Sequence, residues 1–229
     1  MNGCARRILV ARVLRRGGAE PLLVVHPAEG RESAITSVES SIHHQVRSPR
    51  PGALMHRVSR DPYADLPSAP DFRLTSNTVA DAARFASPQC SAIFGAGGQD
   101  QSPELSWSGF PDSTQSFIVT MYDPDAPTPS GFWHWAVVDV PADVTEFPLG
   151  AGESDSTLPG GRHLPNDGGQ RRYIGAAPPP GPVHHYHIVV TALDVPSTDV
   201  PDTASPALTL FQNLGNVVGR ARIVPEYGV

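Results

Sequence analysis

Hydrophobic and polar positions along the chain fall into two textures that meet near residue 60. Beyond that point short apolar runs stand between Pro- and Gly-bearing turns, which is the signature of strands. In Ser116–Tyr122 the side chains of Phe117, Val119 and Met121 share one side, with the period of two that a strand imposes. Trp133–Val140 is almost continuously apolar, which predicts a strand in the middle of a sheet. Tyr186–Leu193 repeats the type, with Tyr186, Ile188 and Val190 facing one way. Shorter strands are predicted at Phe72–Thr75 and Leu105–Trp107, and Ala92–Phe94 runs into a glycine-rich loop. Pro141, Pro148, Pro159 and Pro165 argue against a helix between residues 141 and 182. The period changes near the end: Ser205 is placed as an N-cap, Pro206 as the first helical residue, and Leu210, Leu214, Val217 and Val218 recur at helical spacing. This predicts a C-terminal helix over about 205–221, then a short strand or tail at Ile223–Tyr227. The expected class is mainly β.

Residues 1–60 have a different character. They are rich in Arg and Ser and poor in aromatic residues, with one candidate strand at Leu22–Val25 and a break at Arg47–Gly52. The division expected is therefore an N-terminal extension, 1–60, and a folded domain, 61–229. The extension is read as an inert tail or as a gene-model artefact with translation starting at Met55. The alternative is a disordered arm that contacts an acidic partner.

Charge sharpens this division. Residues 1–60 hold ten Arg and four Glu, a net of +6, whereas 61–229 hold seven Arg and nineteen acids, a net of −12. An acidic folded part argues against a nucleic-acid surface, which needs a basic footprint. All seventeen basic residues are Arg, a bias expected of a GC-rich genome. The two cysteines, Cys4 and Cys90, fall on opposite sides of the boundary and make no disulfide framework. No apolar run approaches the ~20 residues of a membrane span, and the N-terminus lacks the long apolar core of a secretory signal. The expected location is the cytoplasm.

Candidate chemistry sits in two stretches. The first, Asp123-Pro-Asp-Ala-Pro through Trp135, ends one strand and enters the next. Asp123 and Asp125 are two apart and face the same side if extended, and His134 converges on them if the strands lie together. The second stretch runs from Asn166 to His187 and carries Pro178–Pro180, a stiff wall that keeps its shape when empty. On a strand His184 and Tyr186 point together, and His185 and His187 point the other way. Imidazole and phenol donors suit a phosphate oxygen, whereas a bare carboxylate repels one. Asp123 is therefore read as orienting a histidine, or as sharing a proton with the ligand. Plainer readings stand beside these. Asp-Pro-Asp makes a turn, Trp133 and Trp135 belong to the core, Asn166 and Asp167 make another turn, and His185 and His187 are ordinary satisfied residues.

Taken in order, these motifs resemble one family. Ser102–Gly109, Asp123–Pro127, Ser130–Trp135, Asn166–Gly168, Tyr173–Gly175 with Pro178 and Pro179, and His184–Tyr186 are similar to the phosphatidylethanolamine-binding protein family, in its bacterial Raf-kinase-inhibitor-like branch. The resemblance covers residues 61–229. It implies a β-sandwich of two antiparallel sheets with a C-terminal helix and a shallow anion pocket at one end. By motif position Asp123, Asp125 and His134 line one side, Phe132 forms an apolar edge, Gly175, Ala177, Pro178 and Pro179 form the rim, and His184 and Tyr186 complete it. Three departures stand out. Gly175-Ala-Ala-Pro-Pro replaces a more proline-rich rim, His185 stands where the family carries Arg, and Asn216 stands where bacterial relatives often carry His.

The resemblance implies a non-catalytic binding and regulatory protein that takes phosphate or a phospholipid head group and acts on a partner kinase or protease, as monomer or homodimer, without a cofactor. A hydrolase using His134 or His184 with Asp123 is the enzymatic alternative. No Gly-x-Ser-x-Gly elbow occurs in the sequence, and Cys90 has no neighbouring His. A zinc site of Asp123, Asp125, His134 and His184 is the third reading; its donors suit zinc, but the tight His/Cys spacing is missing.

Overall fold

The computed structural model describes residues 61–229. The candidate strand Leu22–Val25, Cys4 and the proposed start at Met55 lie outside the described residues. Ten strands and a short helix build the fold: β1 (Arg73–Thr75), β2 (Leu105–Ser108), β3 (Ser116–Asp123), β4 (Phe132–Pro141), β5 (Glu146–Phe147), β6 (Arg162–His163), β7 (His184–His185), β8 (His187–Leu193), α1 (Pro206–Gln212), β9 (Val217–Ile223) and β10 (Glu226–Tyr227). A five-stranded sheet runs in the order β6-β4-β3-β8-β9. A three-stranded sheet, β1-β2-β5, and a two-stranded ribbon, β7-β10, complete the set. Every ladder is antiparallel.

The apolar runs go where their periodicity sends them. From β3, Phe117, Val119 and Met121 enter the main core with Trp135, Val137, Val140, Ile188 and Val190. Leu105, Trp107 and Phe147 of the smaller sheet join them there. Trp107 meets both Phe117 and Phe147 edge-on, at 5.5 and 5.4 Å between ring centroids. The alternate residues Ile118, Ala136 and Val138 pack on the other face with Leu164, Val200 and Ala204, and Leu210 of α1 lies against this layer. Both faces of β3 and β4 are thus covered, which is why these strands read as continuous apolar runs.

The C-terminal region departs from its helical reading. Ser205 caps α1 by accepting the Leu208 amide at 3.2 Å, with Pro206 in the first turn. The helix nevertheless ends at Gln212, a single 3-10 turn holds Leu214–Asn216, and Val217–Ile223 is a strand paired with β8. Val217 and Val218 satisfied a helical spacing, but Gly219, Ala221 and Ile223 bury at alternate positions against β8, the strand period. Sheet pairing overrides local propensity here. Asn216 therefore sits in a turn, where its side-chain amide donates to Asn213 at 3.1 Å. Between residues 141 and 182 the helical content is one 3-10 turn, Ala151–Glu153.

Of two irregularities in β4, the second shapes the site end of the sheet. The register against β3 shifts once between Phe117 and Val119 and again between Met121 and Tyr122. At the second shift Met121 faces Trp135 and Tyr122 faces Trp133, so His134 is the extra residue of a bulge. Bulges break the alternation and re-aim a side chain. The displaced residue is secured from outside the ladder, because the Ile174 amide donates to the His134 carbonyl at 3.1 Å.

Candidate functional site

The site lies where β3 ends and β4 begins. Asp123 pairs with Phe132 across this end, and the intervening loop turns on Gly131, whose φ is +67°. A Cβ there would stand 2.6 Å from the Asp123 carbonyl oxygen, so the close return of the chain needs glycine. Asp123 is 2% exposed. Its Oδ1 accepts the amides of Asp125 at 2.8 Å and Ala126 at 3.0 Å. Its Oδ2 accepts from His184 Nδ1 at 2.7 Å. The Asp-Pro-Asp-Ala turn therefore does two things: it caps its own backbone and leaves one oxygen to orient a histidine.

His134, also buried, reaches the same place from the bulge. Its Nδ1 donates to the Ile174 carbonyl at 3.0 Å, which leaves Nε2 as the unused ring nitrogen. Burial pushes the His134 pKa below the ordinary histidine value, against the opposing charge of Asp123. Burial also acts on His184, but there the hydrogen bond and charge of Asp123 outweigh it and raise the pKa. Tyr186 lies near both rings, 5.2 Å from His134 and 6.5 Å from His184 between centroids. Its hydroxyl is buried and has no hydrogen-bond partner among the described residues. Burial and the Asp123 charge raise its pKa, so it remains a protonated donor.

These groups surround a cavity of about 130 Å³. Asp123, Phe132, His134, Ala177, Pro178, Pro179, His184 and Tyr186, all expected at the site, line it. Two expected residues do not. Asp125 turns to His185, accepting its amide at 2.9 Å and its Nδ1 at 2.7 Å; the tight turn after Asp123 breaks the extended geometry that would have kept the two carboxylates on one side. Gly175 lies behind the rim against the Cys90 backbone, where a Cβ would come within 2.3 Å. Its amide donates to Asp100 at 2.8 Å, and Cys90 bridges Ala176. It holds the proline wall in place rather than facing the cavity.

Sequence reasoning missed four lining residues: Phe94, Ala126, Pro127 and Thr128. Phe94 meets Phe132 edge-on at 6.3 Å, a contact between distant segments that carried no local signal. The other three belong to the Asp123–Pro127 motif or follow it, so the motif itself marked the place. The plainer readings hold in part. Trp135 is core as expected, whereas Trp133 is only half-buried and stacks on Tyr122 at 4.3 Å. Asn166 closes a turn onto the Arg172 carbonyl at 2.8 Å, whereas His187, 5.9 Å from Tyr63, is not satisfied: its Nδ1 is buried without a hydrogen-bond partner among the described residues. Among the described residues no group of three or more His, Cys, Asp or Glu is disposed to hold a metal ion. The Thr128 hydroxyl donates to the Gly131 carbonyl and not to either histidine.

The family model for Phosphatidylethanolamine-binding protein matches residues 75–228, which is most of the described chain. The chain belongs to the phosphatidylethanolamine-binding protein family. Among similar relatives of this family member is the UPF0098 protein YbcL of Escherichia coli, 42% identical over 161 residues that span 69% of this chain and 88% of the relative. YbhB of the same organism is 42% identical over 140 residues, 61% of this chain and 89% of its own length. The crystal structure of YbcL, described as a new member of the mammalian PEBP family, superposes with a TM-score of 0.67 at 41% identity, covering 69% of this chain and 99% of that one. A Chlamydia trachomatis homologue, CT736, shares the fold with a TM-score of 0.60 at 22% identity, covering 70% of this chain and 99% of its own. The family and its bacterial branch are thereby shown, and with them the mainly β architecture. No helix among the described residues is long and apolar enough to cross a membrane.

Proposed function

We propose that this family member is a binding and regulatory protein that holds a small phosphate-type anion in the cavity between Asp123, His134, His184 and Tyr186. The observation that carries this reading is the buried Tyr186 hydroxyl, left without a partner beside two histidines whose Nδ1 atoms are already engaged. Buried polar groups are nearly always paired, and of the six buried side-chain atoms left unpaired among the described residues only this one belongs to a residue that lines the cavity, which supports a ligand there. Size supports the same class. At about 30 Å³ per water, the cavity of about 130 Å³ admits a few waters or one compact polar group. It is smaller than the roughly 300–1,000 Å³ of drug-sized pockets. Phosphate, or the phosphate of a head group or a phosphorylated side chain, fits that description. The partner then meets the outer rim of Phe94, Phe132 and the prolines, and a kinase or protease is the partner class proposed.

Calorimetric titration of the full chain with phosphate and with phosphorylethanolamine tests this reading, beside His134→Ala and His184→Ala variants whose folding is checked by circular dichroism. Saturable binding that both folded variants lose supports the site. Binding unchanged in both variants overturns it.

A further inference from the structure

An anion entering this cavity meets more acceptors than donors. His134 and His184 each commit Nδ1–H, one to the Ile174 carbonyl and the other to Asp123. A neutral imidazole with its proton on Nδ1 carries a lone pair on Nε2. With both rings neutral, the side chains offer one free donor, the Tyr186 hydroxyl, against two lone pairs and the Asp123 charge. Pro127, Pro178 and Pro179 bring no amide donor to the wall. Among the described residues no Arg lines the cavity, and the chain has no Lys.

The surrounding charges do not reverse this balance. Asp123 and Asp167 act on His134, and Asp123 and Asp125 act on His184. Beyond them, His185 pairs with Asp125 at 2.7 Å and with Glu226 at 3.6 Å and does not line the cavity, so it brings no free positive charge to the anion. A doubly charged anion without a proton is therefore poorly matched. One proton on the ligand turns a repelled lone pair into a hydrogen bond and removes one negative charge beside Asp123.

Resting on the phosphate-site reading above, we propose that the cavity binds its phosphate group together with one proton, in a singly charged form, and discriminates against fully ionised sulfate. A P–OH can donate to a histidine Nε2 while Tyr186 donates to another phosphate oxygen. Sulfate has the same shape and no proton to bring. The site thus selects a phosphate by what it donates as well as by what it accepts.

Calorimetry on the full chain, in two buffers of differing ionisation enthalpy, reads the proton directly. Phosphorylethanolamine, whose phosphate is a dianion without a P–OH near pH 8, is expected to take up close to one proton on binding at that pH and less near pH 5.5. Sulfate is expected to bind about tenfold or more weakly than phosphate near neutral pH, the loss of one charge-assisted hydrogen bond. Phosphorylethanolamine binding near pH 8 without proton uptake, or sulfate binding as tightly as inorganic phosphate, overturns the proposal. If neither anion binds at any pH, the phosphate-site reading itself has failed and this proposal with it.

Discussion

Replacing Tyr186 by Phe separates what the site does for binding from what it costs in stability. The ring is fully buried and packs edge-on against Phe85 at 5.3 Å and His134 at 5.2 Å, contacts that phenylalanine keeps. The hydroxyl has no partner among the described residues. An unsatisfied buried polar group costs roughly 1–3 kcal/mol. Water admitted to the cavity of about 130 Å³ recovers part of that. Tyr186→Phe is therefore expected to stabilise the ligand-free protein by about 0.5–1 kcal/mol. For a domain of this size that raises Tm by about 1–4 °C. Anion binding moves the opposite way. A hydrogen bond to a charged group contributes about 1.5–3 kcal/mol, so affinity for phosphate falls about ten- to a hundredfold. Thermal unfolding and calorimetric titration of the same two proteins read both effects. A lower Tm with unchanged phosphate affinity would refute the reasoning, because the hydroxyl would then serve the fold and not the ligand.

Two further outcomes follow from the same geometry. Burial holds His134, His163 and His187 below the ordinary histidine value of 6.5. Their contribution to stability is complete above that pH and is lost as pH falls toward their folded values. His184 is raised, so its contribution is complete below 6.5 and is lost as pH rises through its folded value. Three groups against one give a lower urea midpoint at about pH 5 than at about pH 7; a higher midpoint at the acid pH would contradict the assignment. Gly175→Ala drives a methyl into the Cys90 backbone, so it should destabilise by about 1–3 kcal/mol. It should also weaken phosphate binding by displacing Ala177–Pro179, and an unchanged affinity would remove Gly175 from the support of the wall.

How much of this was legible in the chain depended on distance along it. The strands β3, β4 and β8 announced themselves because both their faces are buried, and the pairing of His184 with Tyr186 followed from a period of two. His134 was visible as a residue but not as the extra residue of a bulge, since a register shift depends on the partner strand. Asp125 was misplaced because the turn after Asp123 is tight, and an extended-chain rule does not hold through a turn. Gly175 and Phe94 take their places through Cys90 and Phe132, contacts that no local pattern encodes. The C-terminal helix was overextended for a related reason. Val217, Val218 and their neighbours fit either period, and pairing with β8 decides between them.

An anion held beside the unused nitrogens of His134 and His184 and the Tyr186 hydroxyl would be seen in long-range ¹H–¹⁵N NMR of the histidine side chains during a phosphate titration. Saturable shifts are expected at Nε2 of His134 and His184, with both Nδ1 atoms keeping the signature of a bonded N–H and with His163 and His187 unmoved. Saturable binding that leaves both Nε2 signals unchanged would contradict it and place the anion elsewhere on the protein.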